Sequence, residues 1–74
     1  MQVNNQSWQG IDAADFDRIL RAAGGSIRLV RGDGSGLPAT AGIGLQSGES
    51  VTLDAGAAYA ARAWLTASAT VELL

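Results

Sequence analysis

The chain has 74 residues, about half the length of a common domain, so it forms one domain at most. Hydrophobic residues make up 47% of it and charged residues 16%, a balance too apolar for a disordered chain. It contains no cysteine and no histidine, which excludes disulfides, zinc sites built on these ligands and Ser-His or Cys-His nucleophile pairs.

The N-terminal segment, residues 1–14, is polar and rich in turn-forming residues, and its first ten positions show no periodicity. Val3 and Trp8 are surrounded there by asparagine, glutamine, serine and glycine. One interpretation is a mobile terminus. The other is an extended arm that docks on a neighbouring subunit, with Trp8 as its anchor. The second interpretation predicts that residues 1–10 add little to the core of their own domain.

The segment from Asp15 to Ala23 fits two structures on pattern alone. As a helix it would start near Asp12, end at the Gly24-Gly25 pair and carry its apolar residues on one face. As a strand, Phe16–Ala22 would pair with Ser26–Arg31 around the Gly24-Gly25 turn. Local pattern mildly favours the helix.

The C-terminal half alternates between apolar and polar residues. Ile43, Leu45, Val51 and Leu53 share odd parity, which predicts a hairpin with a loop at Ser47–Glu49. All nine odd positions from Ala57 to Leu73 are also apolar, which predicts strands with a turn near Ala67–Ala69. The alternative is a helix capped by Asp54, because alanine favours helices. We expect the odd-numbered apolar residues from Ile43 to Leu73 to face a common core.

No motif in the chain predicts catalysis or metal binding. The glycine-rich loop Gly32–Gly36 lacks the lysine of phosphate loops and the repeated carboxylates of calcium loops, so we interpret it as a turn. Asp12, Asp15 and Asp17 form the only acidic cluster, which we interpret as solvated side chains. We therefore expect no enzyme activity, no catalytic residues, no cofactor and no metal site.

Aromatic residues are the best candidates for an interface. The chain has four of them, namely Trp8, Phe16, Tyr59 and Trp64. Parity places Tyr59 and Trp64 on opposite faces, which argues against a shared stacking platform. Because isolated aromatic residues are enriched where protein surfaces meet, we expect subunit contacts at Trp8, Phe16, Tyr59 and Trp64. We expect a further contact at Val3, the other bulky apolar residue of residues 1–10.

Three stretches of the chain share a pattern of strands and turns. The first runs from Phe16 to Leu29, the second from Ala41 to Glu49, and the third is Ala-Thr-Val-Glu-Leu at 69–73. Together they resemble small virion proteins of tailed bacteriophages, in which an aromatic-led strand and a glycine-led alternating hairpin precede a closing Thr-Val-x-Leu-like strand. The resemblance covers residues 16–74, and the alanine-rich Ala57–Ala63 departs from the larger β-branched residues of such chains.

This resemblance implies an all-β, multimeric protein of the capsid decoration (cement) class or of the head and tail accessory class. It favours the strand interpretation of Phe16–Ala23. We therefore expect a small antiparallel β-sandwich or barrel of about six short strands over residues 15–74, preceded by the arm at 1–14. The expected function is capsid decoration that stabilises the particle through inter-subunit contacts. The alternative is a small carbohydrate- or ligand-binding, adhesin-like β-module.

The expected partners follow from size, charge and the resemblance. A domain this small without disulfides or metal has little core, which predicts that the isolated chain is an oligomer or only marginally folded. We expect it to bind itself, with a trimer as the first expectation, and other virion proteins such as the major capsid protein. A net charge of −2 and a short apolar run broken by Arg62 predict neither nucleic acid nor membrane as a partner. The expected location is the virion, assembled in the host cytoplasm.

Overall fold

The computed structural model describes all 74 residues, from Met1 to Leu74. It consists of eight short strands joined by turns and loops, and it contains no helix. The strands are β1 (Gln2–Asn4), β2 (Gln9–Ile11), β3 (Arg18–Ala23), β4 (Ser26–Arg31), β5 (Ile43–Leu45), β6 (Ser50–Leu53), β7 (Tyr59–Trp64) and β8 (Ser68–Leu73). The predicted all-β class is confirmed, with eight strands where about six were expected. Both segments that also fitted a helix contain strands, β3 and β7.

The strands form two four-stranded antiparallel sheets that pack as a sandwich. Sheet A has the order β1-β8-β3-β6 and sheet B has the order β2-β7-β4-β5. The chain crosses from one sheet to the other at every connection except the one between β4 and β5. Each sheet is therefore assembled from strands that are far apart in sequence.

The predicted hairpins are wrong. Although the Gly24-Gly25 turn joins β3 to β4, β3 pairs with β6 and β8 while β4 pairs with β5 and β7. The connections after β5 and β7 cross between sheets in the same way, and the last one lies at residues 65–67 rather than at 67–69. Parity reports which side chains point to the core. In a sandwich, each sheet points one face of its strands toward the shared core. Odd-numbered residues can therefore face the core both before and after a connection that crosses between the sheets, although the two strands do not pair with each other.

The core lies between the sheets and is built from their inward-facing side chains. Its fourteen buried residues are Val3, Ile11, Leu20, Ala22, Ile27, Leu29, Leu45, Leu53, Ala57, Tyr59, Ala61, Ala63, Ala69 and Val71. The odd-numbered prediction therefore holds for most positions after residue 43. It fails at Ile43 on the edge strand β5 and at Leu73 at the end of β8, both of which are exposed. It also fails at Leu65 and Ala67 in the β7–β8 turn, where Leu65 is 85% exposed.

The N-terminal segment is part of the sandwich and not a free arm. β1 pairs with β8, where Val3 lies opposite Ala69, and β2 pairs with β7, where Ile11 lies opposite Tyr59. Val3 and Ile11 are both buried in the core. Since β1 and β2 are three-residue edge strands, each points a single apolar side chain inward, which is too short a pattern to show periodicity.

Candidate functional site

The outer face of sheet B carries two tryptophans and two arginines. Arg28 on β4 lies directly opposite Arg62 on β7, and Trp64 lies opposite Ser26 two residues further along the same pair of strands. Trp8 comes immediately before β2, the neighbour of β7 on its other side. Because side chains alternate along a strand, Arg62 and Trp64 point outward while Ala61 and Ala63 point into the core. We call Trp8, Arg28, Arg62 and Trp64 the tryptophan–arginine face.

Each arginine of this face lies over one of the tryptophans. The Cζ atom of Arg28 is 5.3 Å from the centre of the Trp64 ring, and that of Arg62 is 5.5 Å from the centre of the Trp8 ring. Both distances are within the range of cation–π attraction, worth about 0.5–1 kcal/mol at an exposed site. These contacts hold the guanidinium groups in defined positions.

Neither arginine of the face has an acidic partner. The two ion pairs of the protein lie elsewhere, between Arg21 and Glu72 on sheet A and between Arg31 and Asp54. Two like charges directly opposite each other on neighbouring strands are destabilising, so they are expected to attract a counter-charge. The tryptophan–arginine face is therefore a local positive surface on a protein whose net charge is negative.

Backbone carbonyls accept hydrogen bonds from some of the N–H donors of each guanidinium group. Nε of Arg28 donates to the carbonyl oxygen of Ala41 at 3.3 Å, and its Nη2 donates to the carbonyls of Thr40 and Gly42. Nη2 of Arg62 donates to the carbonyl of Asn5. The Nη1 group of each arginine has no acceptor within the protein, and Nε of Arg62 is buried without a partner. The face thus keeps free hydrogen-bond donors.

The loop between β4 and β5, residues 32–42, packs against the same side of sheet B. Gly34 contacts the Trp8 ring, and Nε1 of Trp8 donates to the carbonyl of Leu37 at 3.4 Å. Gly42 closely approaches Val30, which points outward from β4 yet is buried. The loop therefore adds a partial third layer, and it supplies the carbonyls that hold Arg28.

Two of the five residues expected at an interface belong to the core instead. Val3 is 2% exposed and Tyr59 is 9% exposed. The Tyr59 hydroxyl accepts a hydrogen bond from the backbone N–H of Asp54 at 2.9 Å, and the guanidinium of Arg31 lies over its ring. The expectation of an intersubunit role for Val3 and Tyr59 is corrected, because both side chains are used within the domain.

The other three residues are accessible but are not brought together. Trp8 and Trp64 are half-buried on the tryptophan–arginine face, whereas Phe16 lies in the loop before β3 and is 66% exposed. The sequence argument against a shared platform compared Tyr59 with Trp64 and missed Trp8. Only the pairing of β2 with β7 places Trp8 beside Arg62 and on the same face as Trp64.

A second surface feature lies where β8 ends beside the beginning of β3. The backbone N–H of Leu74 donates to the carbonyl of Ile19 at 2.8 Å, and the carbonyl of Met1 accepts a hydrogen bond from the N–H of Val71. These contacts bring four exposed apolar residues into one region: Met1, Ile19, Leu73 and Leu74. We call this group the apolar end of sheet A.

The acidic residues of the β2–β3 loop have structural contacts. Oδ1 of Asp17 accepts a hydrogen bond from the N–H of Ala55 at 2.8 Å, and the backbone carbonyl of Asp12 accepts one from Arg18. The structure contains no group of three or more acidic side chains arranged to hold a metal ion.

Comparisons with known proteins add no family to this description. The structure has no helix of the length and hydrophobicity needed to cross a membrane. Neither the known family models, nor the characterised proteins, nor the solved structures include a match to this chain.

Proposed function

We propose that this protein is a structural subunit of a tailed-bacteriophage particle, in the role of a capsid decoration protein that acts by adhesion and catalyses no reaction. The observation that supports adhesion is the apolar end of sheet A, which is exposed on a domain that already has a complete core. The virion as the setting rests on the resemblance of residues 16–74 to small virion proteins.

The apolar end differs from the rest of its sheet surface. Ile19 and Leu74 lie on the outer face of sheet A, where the neighbouring cross-strand pair is the ion pair of Arg21 with Glu72. Single exposed apolar residues are normal on protein surfaces, whereas adjacent ones rimmed by polar residues mark interaction sites. This surface therefore favours contact with another protein.

The contact energy available there suits an accessory subunit. Complete burial of an exposed leucine or isoleucine side chain contributes about 1.5–3 kcal/mol. Burial of Ile19 and Leu74 against a neighbour would thus provide several kcal/mol before the costs of association are subtracted. The neighbour at this surface is the major capsid protein in this proposal.

The test is attachment to purified particles. Particles from the producing host should contain the chain at many copies by quantitative mass spectrometry, and added recombinant protein should sediment with particles that lack it. Ile19→Asp and Leu74→Asp should each weaken this attachment about tenfold, as expected for loss of roughly 1.4 kcal/mol of contact energy.

The matched control is Ser68→Asp, which adds the same charge at an exposed position near the other end of β8. Ser68→Asp should attach like the original protein. Absence of the chain from purified particles would contradict the virion assignment, and equal loss by all three variants would contradict the role of the apolar end.

A further inference from the structure

We infer that the tryptophan–arginine face is a binding site for a carboxylated polysaccharide, that is, a polymer of uronic acid sugars. The inference rests on the outer face of sheet B and is independent of the apolar end of sheet A. It gives the protein a ligand-binding function in addition to adhesion to protein neighbours.

The first argument is the pair of arginines without a counter-charge. Directly opposite positions on antiparallel strands have Cα atoms about 5 Å apart, so Arg28 and Arg62 start from neighbouring positions on one face. Each retains a free Nη1 group with two N–H donors. Planar guanidinium donors match the geometry of carboxylate oxygens better than an ammonium group does.

The second argument is that the site is organised before any ligand arrives. Arg28 is fixed by three backbone carbonyls and by the Trp64 ring, and Arg62 by the Asn5 carbonyl and the Trp8 ring. A side chain that is already ordered loses little conformational entropy on binding. The two arginine side chains are thus already ordered before a ligand binds.

The third argument identifies the ligand as a sugar acid. Trp64 is half-buried and the Arg28 guanidinium lies over its ring, so the part of the indole that stays exposed is next to a cationic group. The apolar C–H faces of a sugar ring pack on an aromatic surface while the carboxylate reaches the arginine. The part of the face that the loop at residues 32–42 leaves uncovered has no pocket to enclose a small ligand, so it fits a chain of sugars that lies across it.

The net charge makes this inference selective. At −2 the whole protein repels a polyanion, so general electrostatic attraction does not favour binding. Any uronate polymer that binds must therefore use a local positive surface. Of the remaining arginines, Arg21 and Arg31 are paired with acids, and Arg18 lies opposite Leu53 and over no aromatic ring.

The experiment measures binding of the full chain to sodium oligogalacturonate by titration calorimetry and by tryptophan fluorescence. We expect binding that weakens as salt rises from about 10 mM to about 150 mM, because screening acts on exposed charges. A neutral oligosaccharide of similar length should not bind. Arg62→Gln should weaken binding about tenfold, as the loss of a charge-assisted hydrogen bond does.

A second variant leaves both arginines in place, because Arg62→Gln also removes the contact with Trp8. Ser26→Glu puts a carboxylate opposite Trp64 on the binding face and should also weaken binding about tenfold. The matched controls are Arg21→Gln and Ser50→Glu, at paired positions on sheet A, which should bind as the original does. Circular dichroism and thermal unfolding check that each variant is folded.

Three results would overturn the inference. They are no binding of oligogalacturonate at low salt, equal binding of the neutral sugar or of a sulfated polymer, and equal loss in the sheet A controls. Ile19→Asp should bind oligogalacturonate normally even if it fails to attach to particles, so this proposal and the proposed adhesion function can fail separately.

Discussion

Trp8 and Gly34 are in such close contact that a Cβ atom on Gly34 would lie 2.3 Å from Cγ of Trp8. Gly34 also has a φ of +80°, in the left-handed region that only glycine adopts easily. The contact joins the segment before β2 to the loop between β4 and β5. The contact thereby helps to fix the position of the Trp8 ring, over which Arg62 lies.

Gly34→Ala should destabilise the protein strongly. The added methyl group has no space beside Trp8, which adds about 1–3 kcal/mol of overpacking to about 1 kcal/mol of backbone strain. The comparison is Gly36→Ala, where φ is also positive but no atom lies near the new Cβ, so only the strain applies. Urea unfolding followed by tryptophan fluorescence measures both free energies. Equal losses for the two variants would show that the contact with Trp8 does not contribute.

The N-terminal strands should be necessary for folding. Val3→Ala removes buried side-chain volume and should lower the free energy of unfolding by about 2 kcal/mol, whereas Gln2→Ala, at an exposed position, should change it by less than about 0.5 kcal/mol. Deletion of residues 1–10 removes all of β1 and exposes the edge of β8. A deleted chain with an unchanged unfolding midpoint would contradict the pairing of β1 with β8.

Alternation along the chain was enough to predict the fold class, because it depends only on which side chains point to the core. Leu45, Leu53 and Val71 were placed correctly on that basis. The pairing of strands could not be predicted, because a sheet-crossing connection and a hairpin of equal length leave the same parity. A single buried residue such as Val3 in a three-residue strand shows no pattern at all.

The candidate site was missed for a related reason. The sequence places Trp8 and Arg62 far apart, and no local signal links them. They meet only because β2 lies beside β7, which is a property of the sheet order. The alternation of Arg62 and Trp64 with buried alanines was visible in the sequence, and it did identify the outward side of β7.

The ion pair between Arg21 and Glu72 should make a pH-dependent contribution to stability. The hydrogen bond from Arg21, at 2.8 Å, and the attraction of its charge lower the pKa of Glu72 below the ordinary value. Since the folded pKa is the lower one, the contribution is present above the ordinary carboxyl pKa of about 4.3 and is lost as pH falls through the folded value. Thermal unfolding should show Glu72→Gln below the original protein at neutral pH and equal to it in strong acid.

Arg21→Gln and the double variant Arg21→Gln/Glu72→Gln should show the same dependence of unfolding temperature on pH as Glu72→Gln, because each removes the same ion pair. Both side chains are exposed, so the shift in unfolding temperature should be small and should decrease with added salt. A difference that persists below the folded pKa of Glu72 would show that another contact of Glu72 is responsible.

Leu65 should be a position where stability can be gained. It is the only residue other than glycine with a positive φ, at 63°, and its side chain is 85% exposed in the turn between β7 and β8. Leu65→Gly should raise the free energy of unfolding by about 0.5–1 kcal/mol, because glycine adopts this conformation without strain. Ala67→Gly, two residues later in the same turn and without a positive φ, should lower it by a similar amount, and urea unfolding of both variants measures the contrast. If Leu65→Gly is instead destabilising, the leucine side chain stabilises the folded chain or its oligomer, and sedimentation equilibrium of the two proteins separates these cases.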